Sequence, residues 1–281
     1  MGGHVANHIA NIEGVGMSGF DKEWLKLREP ADRAARAQPM LERVRQYLDA
    51  LPQPNIIMDI GCGTGSTYRT LSPILPTASW RLVDYETALL EEAQREIGTG
   101  ENIEFHCHDL NRLDETLMDG VTMVTASALF DLCSADFCGR FVERLARRQI
   151  GLYAALNYDG LMEWSIKHPL DAQVAGDFNR HQRSDKGFGP ALGPEASAHL
   201  STLCEASGFR VGTAESRWYL GPSSAELQKE FLSGLVRPVC EIGNVDDAEL
   251  NEWLEFRLSK IGVNGSLCIV GHTDFLALPR H

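Results

Sequence analysis

The sequence predicts an α/β fold, a doubly wound, Rossmann-like, seven-stranded and mostly parallel sheet with helices on both faces. Short apolar runs of four to seven residues alternate with amphipathic segments of helical period, as strands buried on both faces require. The first such run, IIMDI, passes directly into a turn with glycine at every second position, Gly61, Gly63 and Gly65. Neither internal repeats nor low-complexity tracts interrupt the pattern.

In order along the chain, residues 21–50 have helical character. Met40, Leu41, Val44, Tyr47, Leu48 and Leu51 fall at i, i+3, i+4 spacing, and Pro52 and Pro54 end the pattern. Strands are expected at 56–60 (IIMDI), 80–84 (WRLVD), 103–107 (IEFHC), 121–126 (VTMVTA) and 150–156 (IGLYAAL). The helices between them are expected near 66–75, 87–97 and 135–146. A polar stretch punctuated by Pro and Gly follows from His168 to Pro194, then a helix at 196–207 and a strand, FRVGTAESRWYL. Two helices, near 223–236 and 246–261, precede a last strand, SLCIVGHTDFLALP, expected to pair antiparallel in part. The expected organisation is an N-terminal helical cap or lid over residues 1–52 and one domain over 53–281. Within that domain, 168–195 forms an acceptor-site loop and 223–261 a helical insertion before the last strand.

Composition narrows the partners. A formal net charge of −13 and a pI near 5.1 oppose binding to nucleic-acid phosphates. The two basic clusters are RLARRQ (Arg144–Gln149) and NRHQRSDK (Asn179–Lys186). No apolar run approaches the roughly 20 residues that span a bilayer, and MGGHVANHIANIEG lacks both parts of a secretory signal. A cytoplasmic location without membrane attachment is the expectation. The chain has seven cysteines and no C-x-x-C pair, which fits reduced thiols. In His106-Cys107-His108 adjacent side chains of a strand point to opposite faces, so no metal site is expected there.

Glycine supplies positive φ and a missing Cβ, which a sharp bend lying against a ligand requires. A strand, this turn and a helix together form a nucleotide-type cofactor loop at the carboxyl end of the sheet. The dinucleotide fingerprint G-x-G-x-x-G would need glycine where Ser66 stands, and no G-K-[ST] follows for a phosphate loop. The segment resembles motif I of the class I S-adenosylmethionine-dependent methyltransferases. Later matches come in the family's order: Asp84 in RLVDYETALLEEA, Asp109 in HDLN, and TASALFDL, which is similar to motif IV. The resemblance covers about residues 55–160. It implies S-adenosyl-L-methionine as cofactor, held by Asp59, Gly61, Cys62, Gly63, Gly65, Asp84, Tyr85, Asp109, Leu110 and Ser127. Asp84 would take the ribose diol, for which a carboxylate has acceptors enough, with Glu86 close enough to share it. Asp109 and Leu110 would meet the adenine. The N-P-P-[YF] tetrad of amino-group methyltransferases is absent.

Methyl transfer from a sulfonium is an in-line displacement that asks the protein mainly for alignment. The expected acceptor is a small anionic molecule. Arg180 and Arg183 would hold its carboxylate or phosphate in bidentate fashion, with His168 as a further binding residue. The alternative pairs these charges with Asp177 and Asp185. His181, Asp131 and Tyr158 are the candidate catalytic residues, and Trp164 could wall the pocket. Trp24 and Tyr47 belong to the segment expected to fold over the cofactor. The competing functions are a non-catalytic S-adenosylmethionine-binding module and a methyltransferase acting on protein or tRNA. The N-terminal helices or the insertion could support a homodimer.

Overall fold

A computed structural model describes residues 22–112 and 114–280. The first 21 residues of the expected cap, including the stretch read for a secretory signal, lie outside them.

Alternation of side chains along each strand builds two cores, one on each face of the sheet. Met58 and Ile60 of β1 (Ile56–Ile60) enter one face with Val124 of β4 (Val121–Ser127) and Leu152 of β5 (Gly151–Trp164). Helices α5 (Ala135–Arg148) and α7 (Ala196–Ala206) cover that face. Ile57, Met123 and Tyr153 enter the other face, under α2 (Gln38–Asp49), α3 (Ser66–Leu71) and α4 (Thr87–Ile97). The remaining strands are β2 (Ser79–Asp84), β3 (Ile103–Cys107), β6 (Arg210–Glu215), β7 (Trp218–Leu220) and β8 (Cys268–Leu278). Their order is β3-β2-β1-β4-β5-β8-β6, with β7 also on β8. Strands β1 to β5 pair in parallel, and β8 runs antiparallel to β5, β6 and β7. The switch point where successive strands diverge lies between β1 and β4, which places a ligand crevice at their carboxyl ends.

Four departures from the sequence pattern shape the site. The sheet has eight strands rather than seven, because Ser216 and Arg217 divide the expected FRVGTAESRWYL strand into β6 and β7. The helical region before Pro52 is two helices, α1 (Lys22–Ala35) and α2, broken at Arg36-Ala37. Strand β5 runs on to Trp164, well past the expected end at 156. Inside the stretch read as irregular lies a helix, α6 (Asp171–His181), whose few apolar residues gave the pattern little to register.

The extended ends of β5 and β8 carry a third core. Tyr158, Met162, Trp164, Trp218 and Trp253 gather there beneath α6, α8 (Ala225–Ile242) and α9 (Asp247–Lys260), with Trp24 and Leu27 of α1 against them. Helices α8 and α9 are the two helices expected between the last strands. Among the described residues no helix is long and apolar enough to cross a membrane.

Candidate functional site

The crevice at β1 and β4 is built from main chain first. Gly61, Gly63 and Gly65 have φ of 60°, 53° and 84°. A Cβ at Gly63 would meet Leu25 of α1 at 3.1 Å, and one at Gly65 would strike the terminal methyl of Ile97. The turn is therefore pinned between α1 and α4. Arg69 reinforces this, ion-paired to Glu29 of α1 and donating to the Thr64 carbonyl at 2.5 Å.

Asp84 ties the turn to the next strand. Its Oδ2 accepts the Gly63 N–H at 2.8 Å and its Oδ1 the Glu86 N–H at 3.0 Å. Burial lifts its carboxyl above the usual range. Cys62 is buried, its N–H donating to the Val83 carbonyl at 3.1 Å. Tyr85 is exposed and its hydroxyl donates to Glu86 Oε1 at 2.7 Å. Asp109, at the surface, accepts the Asn111 N–H at 2.9 Å, while Leu110 is buried in the core.

Under the turn, Asp59 is fully buried. Its Oδ1 accepts from Thr125 Oγ1 at 2.7 Å, and its Oδ2 has no partner among the described residues. Burial pushes this carboxyl up to about 7, against the Thr125 hydrogen bond. The native state thus keeps a proton that the unfolded chain releases near pH 4, so Asp59 subtracts stability as pH rises from about 4 to about 7. Asp59→Asn should lose on the order of 2 kcal/mol less than the parent between pH 5 and pH 8, read from urea midpoints. Asp131, lifted to about 6 by burial, leaves a residual slope of the same sign. Equal losses in parent and variant would refute the assignment.

Sequence reasoning passed over Arg36. Its residue is 3% exposed, and its Nη2 donates to Thr67 Oγ1 at 3.3 Å and Ser127 Oγ at 3.2 Å. Its Nε and Nη1 have no hydrogen-bond partner and no carboxylate lies within ion-pair distance among the described residues, while Tyr153 and, from farther off, the Asp274 and Asp32 charges favour the cation. A guanidinium keeps its charge in any protein environment, and buried charges are ordinarily paired. The available signal was the helix break before Gln38-Pro39, where a lone arginine sits between two alanines.

Asp131 lies on the short turn after β4, buried, with Oδ1 unpartnered. Tyr158 is buried near it, but its hydroxyl is committed to Asn179 Oδ1 at 2.6 Å. The members of the expected anion-binding cluster make pairs of their own. Arg180 pairs with Asp177 at 2.9 Å, Arg183 with Glu195 at 3.1 Å and His181 with Glu241 at 2.8 Å. His168 Nδ1 accepts the Leu170 N–H at 3.2 Å, and its ring packs 4.9 Å from that of Phe256. Among the described residues no hydrogen bond or ion pair joins these four to the glycine turn. Trp164 packs in the third core beside Trp253, 5.7 Å between centroids.

The arrangement fits S-adenosyl-L-methionine at three points. There is a glycine turn of positive φ after β1, a carboxylate at the end of β2, and a buried guanidinium bonded to Ser127 at the end of β4.

Residues 57–148 match a family model described as a methyltransferase domain. A malonyl-(acyl-carrier protein) O-methyltransferase from Halalkalibacterium halodurans is 30% identical over 136 residues, covering 48% of this chain and 47% of that protein. The Bacillus cereus protein of the same name is 27% identical over 125 residues, covering 44% of this chain and 42% of that one. The similarity thus spans less than half the length of either relative. Among solved structures, the cyclopropane synthase MmaA2 from Mycobacterium tuberculosis has a TM-score of 0.50 at 12% identity, over 92% of this chain and 94% of that one. That likeness is one of fold. Arg36, Tyr158 and the last strand lie outside the matched family span.

Proposed function

We propose that the chain, whose residues 57–148 match a methyltransferase domain, is a class I S-adenosylmethionine-dependent methyltransferase that transfers a methyl group to a small-molecule acceptor. When bound, S-adenosylmethionine supplies a methyl carbon on a sulfonium leaving group. The Gly61–Gly65 main chain would meet its adenosyl part, and Asp84, which already accepts main-chain N–H groups, would take the ribose diol on its remaining lone pairs. Asp109 and Leu110 would meet the adenine. Arg36 takes the carboxylate of the methionine end.

The observation that carries this reading is the guanidinium of Arg36, buried beside the glycine turn on two hydroxyls, with two nitrogens left without a hydrogen-bond partner among the described residues. The arginines expected to bind an anionic acceptor are exposed and paired with Asp177 and Glu195. The net charge of −13 continues to disfavour nucleic-acid substrates.

Calorimetry on ligand-stripped protein tests the cofactor. S-adenosylmethionine and S-adenosylhomocysteine should both bind, and a nicotinamide dinucleotide should not. Labelled methyl should then appear in an acceptor, with malonyl groups on a carrier protein, the acceptor named for the curated relatives, included in the screen. Absence of heat with both sulfur compounds would end the proposal.

A further inference from the structure

Among the buried polar atoms without a hydrogen-bond partner in the described residues are Asp131 Oδ1 and His272 Nδ1, the His272 ring also lying against the main chain of Ser216 and Val270. They belong to one place. The Tyr158 main-chain N–H bonds the Asp131 carboxylate, and Tyr158 is the cross-strand partner of His272, their rings 6.3 Å apart. Trp218 closes the far side, its ring 4.9 Å from that of His272. Phe178 stands 5.7 Å from Tyr158. Asp131 is on the turn that leaves Ser127, and Leu129 of that turn lies against Gly61. The place therefore adjoins the methionine end of the crevice.

The one cation nearby is already matched. Arg28 lies over Trp218 at 4.9 Å and forms a two-bond pair with Asp32 at 2.8 and 3.1 Å, and the Trp218 indole N–H donates to the same carboxylate at 2.9 Å. No cation lies within ion-pair distance of Asp131 among the described residues. Buried polar groups are satisfied in native proteins, and each exception asks for an explanation. Two such groups on adjoining elements, beside the rings of Tyr158 and Trp218, ask for a shared one.

We infer that Asp131 and His272 line the acceptor pocket and select a hydroxyl- or amine-bearing small molecule with an apolar body and no carboxylate. This rests on the methyl-transfer reading above. An ionised carboxylate only accepts hydrogen bonds, while Nδ1 of a neutral imidazole accepts or donates according to its tautomer. A hydroxyl or an amine satisfies both atoms. An acceptor carboxylate would face the Asp131 charge in a desolvated place. Burial lifts Asp131 to about 6, so it is ionised at neutral pH and still able to take a proton. Burial, helped by the Arg28 charge, holds His272 near 3 and thus neutral. In the transfer, the acceptor's lone pair forms the bond to the methyl carbon and the C–S electron pair stays with sulfur. The proton released from the acceptor's O–H or N–H goes to Asp131 Oδ1.

The test is equilibrium binding of benzyl alcohol, benzylamine and benzoate to the protein saturated with S-adenosylhomocysteine. The alcohol and the amine should bind at least tenfold more tightly than benzoate. Asp131→Asn should bring benzoate to within threefold of the alcohol, and His272→Leu should weaken the alcohol and amine about tenfold. Unchanged S-adenosylhomocysteine affinity reports that each variant is folded. If His272→Leu loses that affinity, Asp131→Asn decides alone. Benzoate binding as well as the others, preferences untouched by the variants, or no probe binding at millimolar concentration would each overturn the inference. Failure of the parent protein to bind S-adenosylhomocysteine would instead strike the methyltransferase reading itself.

Discussion

Arg36→Met is expected to weaken S-adenosylmethionine binding about a hundredfold. Two hydroxyls at 3.2 and 3.3 Å share one nitrogen of the guanidinium, while the other two nitrogens have no hydrogen-bond partner among the described residues. Tyr153 and the charges of Asp274 and Asp32 favour the buried cation despite its desolvation, so the variant should also cost the ligand-free protein some stability. The cofactor's carboxylate, in turn, loses a paired cation in a site closed to water. Truncating one partner of a buried, hydrogen-bonded charge pair typically costs about 2–5 kcal/mol, which brackets the hundredfold figure. Arg36→Lys should recover part of the affinity, as a point charge without the planar fork. 5′-Methylthioadenosine, which lacks the amino-acid tail, gives the control: its affinity should be the same in parent and Arg36→Met. If the variant weakened both ligands equally, Arg36 would be shaping the crevice and not binding the carboxylate.

How much of this could be read from the sequence follows from how far each interaction reaches. The glycine turn was legible because its requirements are local: an apolar strand, positive φ at alternate residues and a helix behind. Asp84 was legible because the strand-end position and the turn lie in one βαβ unit. Arg36 and His272 were not, since each gains meaning only from partners distant in sequence. Arg36 meets Thr67 and Ser127, and His272 meets Tyr158 across the β5–β8 pair. The cluster around Arg180 shows the converse. Its charge density is visible in the sequence, but two of its carboxylate partners, Glu195 and Glu241, lie on other elements. Asp177 was the alternative partner weighed for Arg180, and it is the one found. The fold class came through because period-2 burial needs only neighbours, whereas the break at Ser216-Arg217 that adds the eighth strand has no such local marker.

Asp84→Asn should be as damaging as the loss of Arg36, and by a different route. The carboxylate accepts two main-chain N–H groups, one from the glycine turn and one from the residue that opens α4. An amide offers one oxygen, so one N–H would face an NH2 group and the turn would lose its anchor to β2. Hydrogen bonds to a charged group contribute about 1.5–3 kcal/mol each, and a ribose diol would lose its acceptor as well. A fall of at least a hundredfold is expected for S-adenosylmethionine and S-adenosylhomocysteine alike. Because the damage lies at the adenosyl end, 5′-methylthioadenosine should weaken equally, the reverse of its behaviour with Arg36→Met. On the proposed placement the two residues would meet opposite ends of one ligand, so their effects on S-adenosylmethionine should add in free energy. If Asp84→Asn spared methylthioadenosine while abolishing S-adenosylmethionine binding, the ribose would have to be placed elsewhere and the cofactor turned end for end in the crevice.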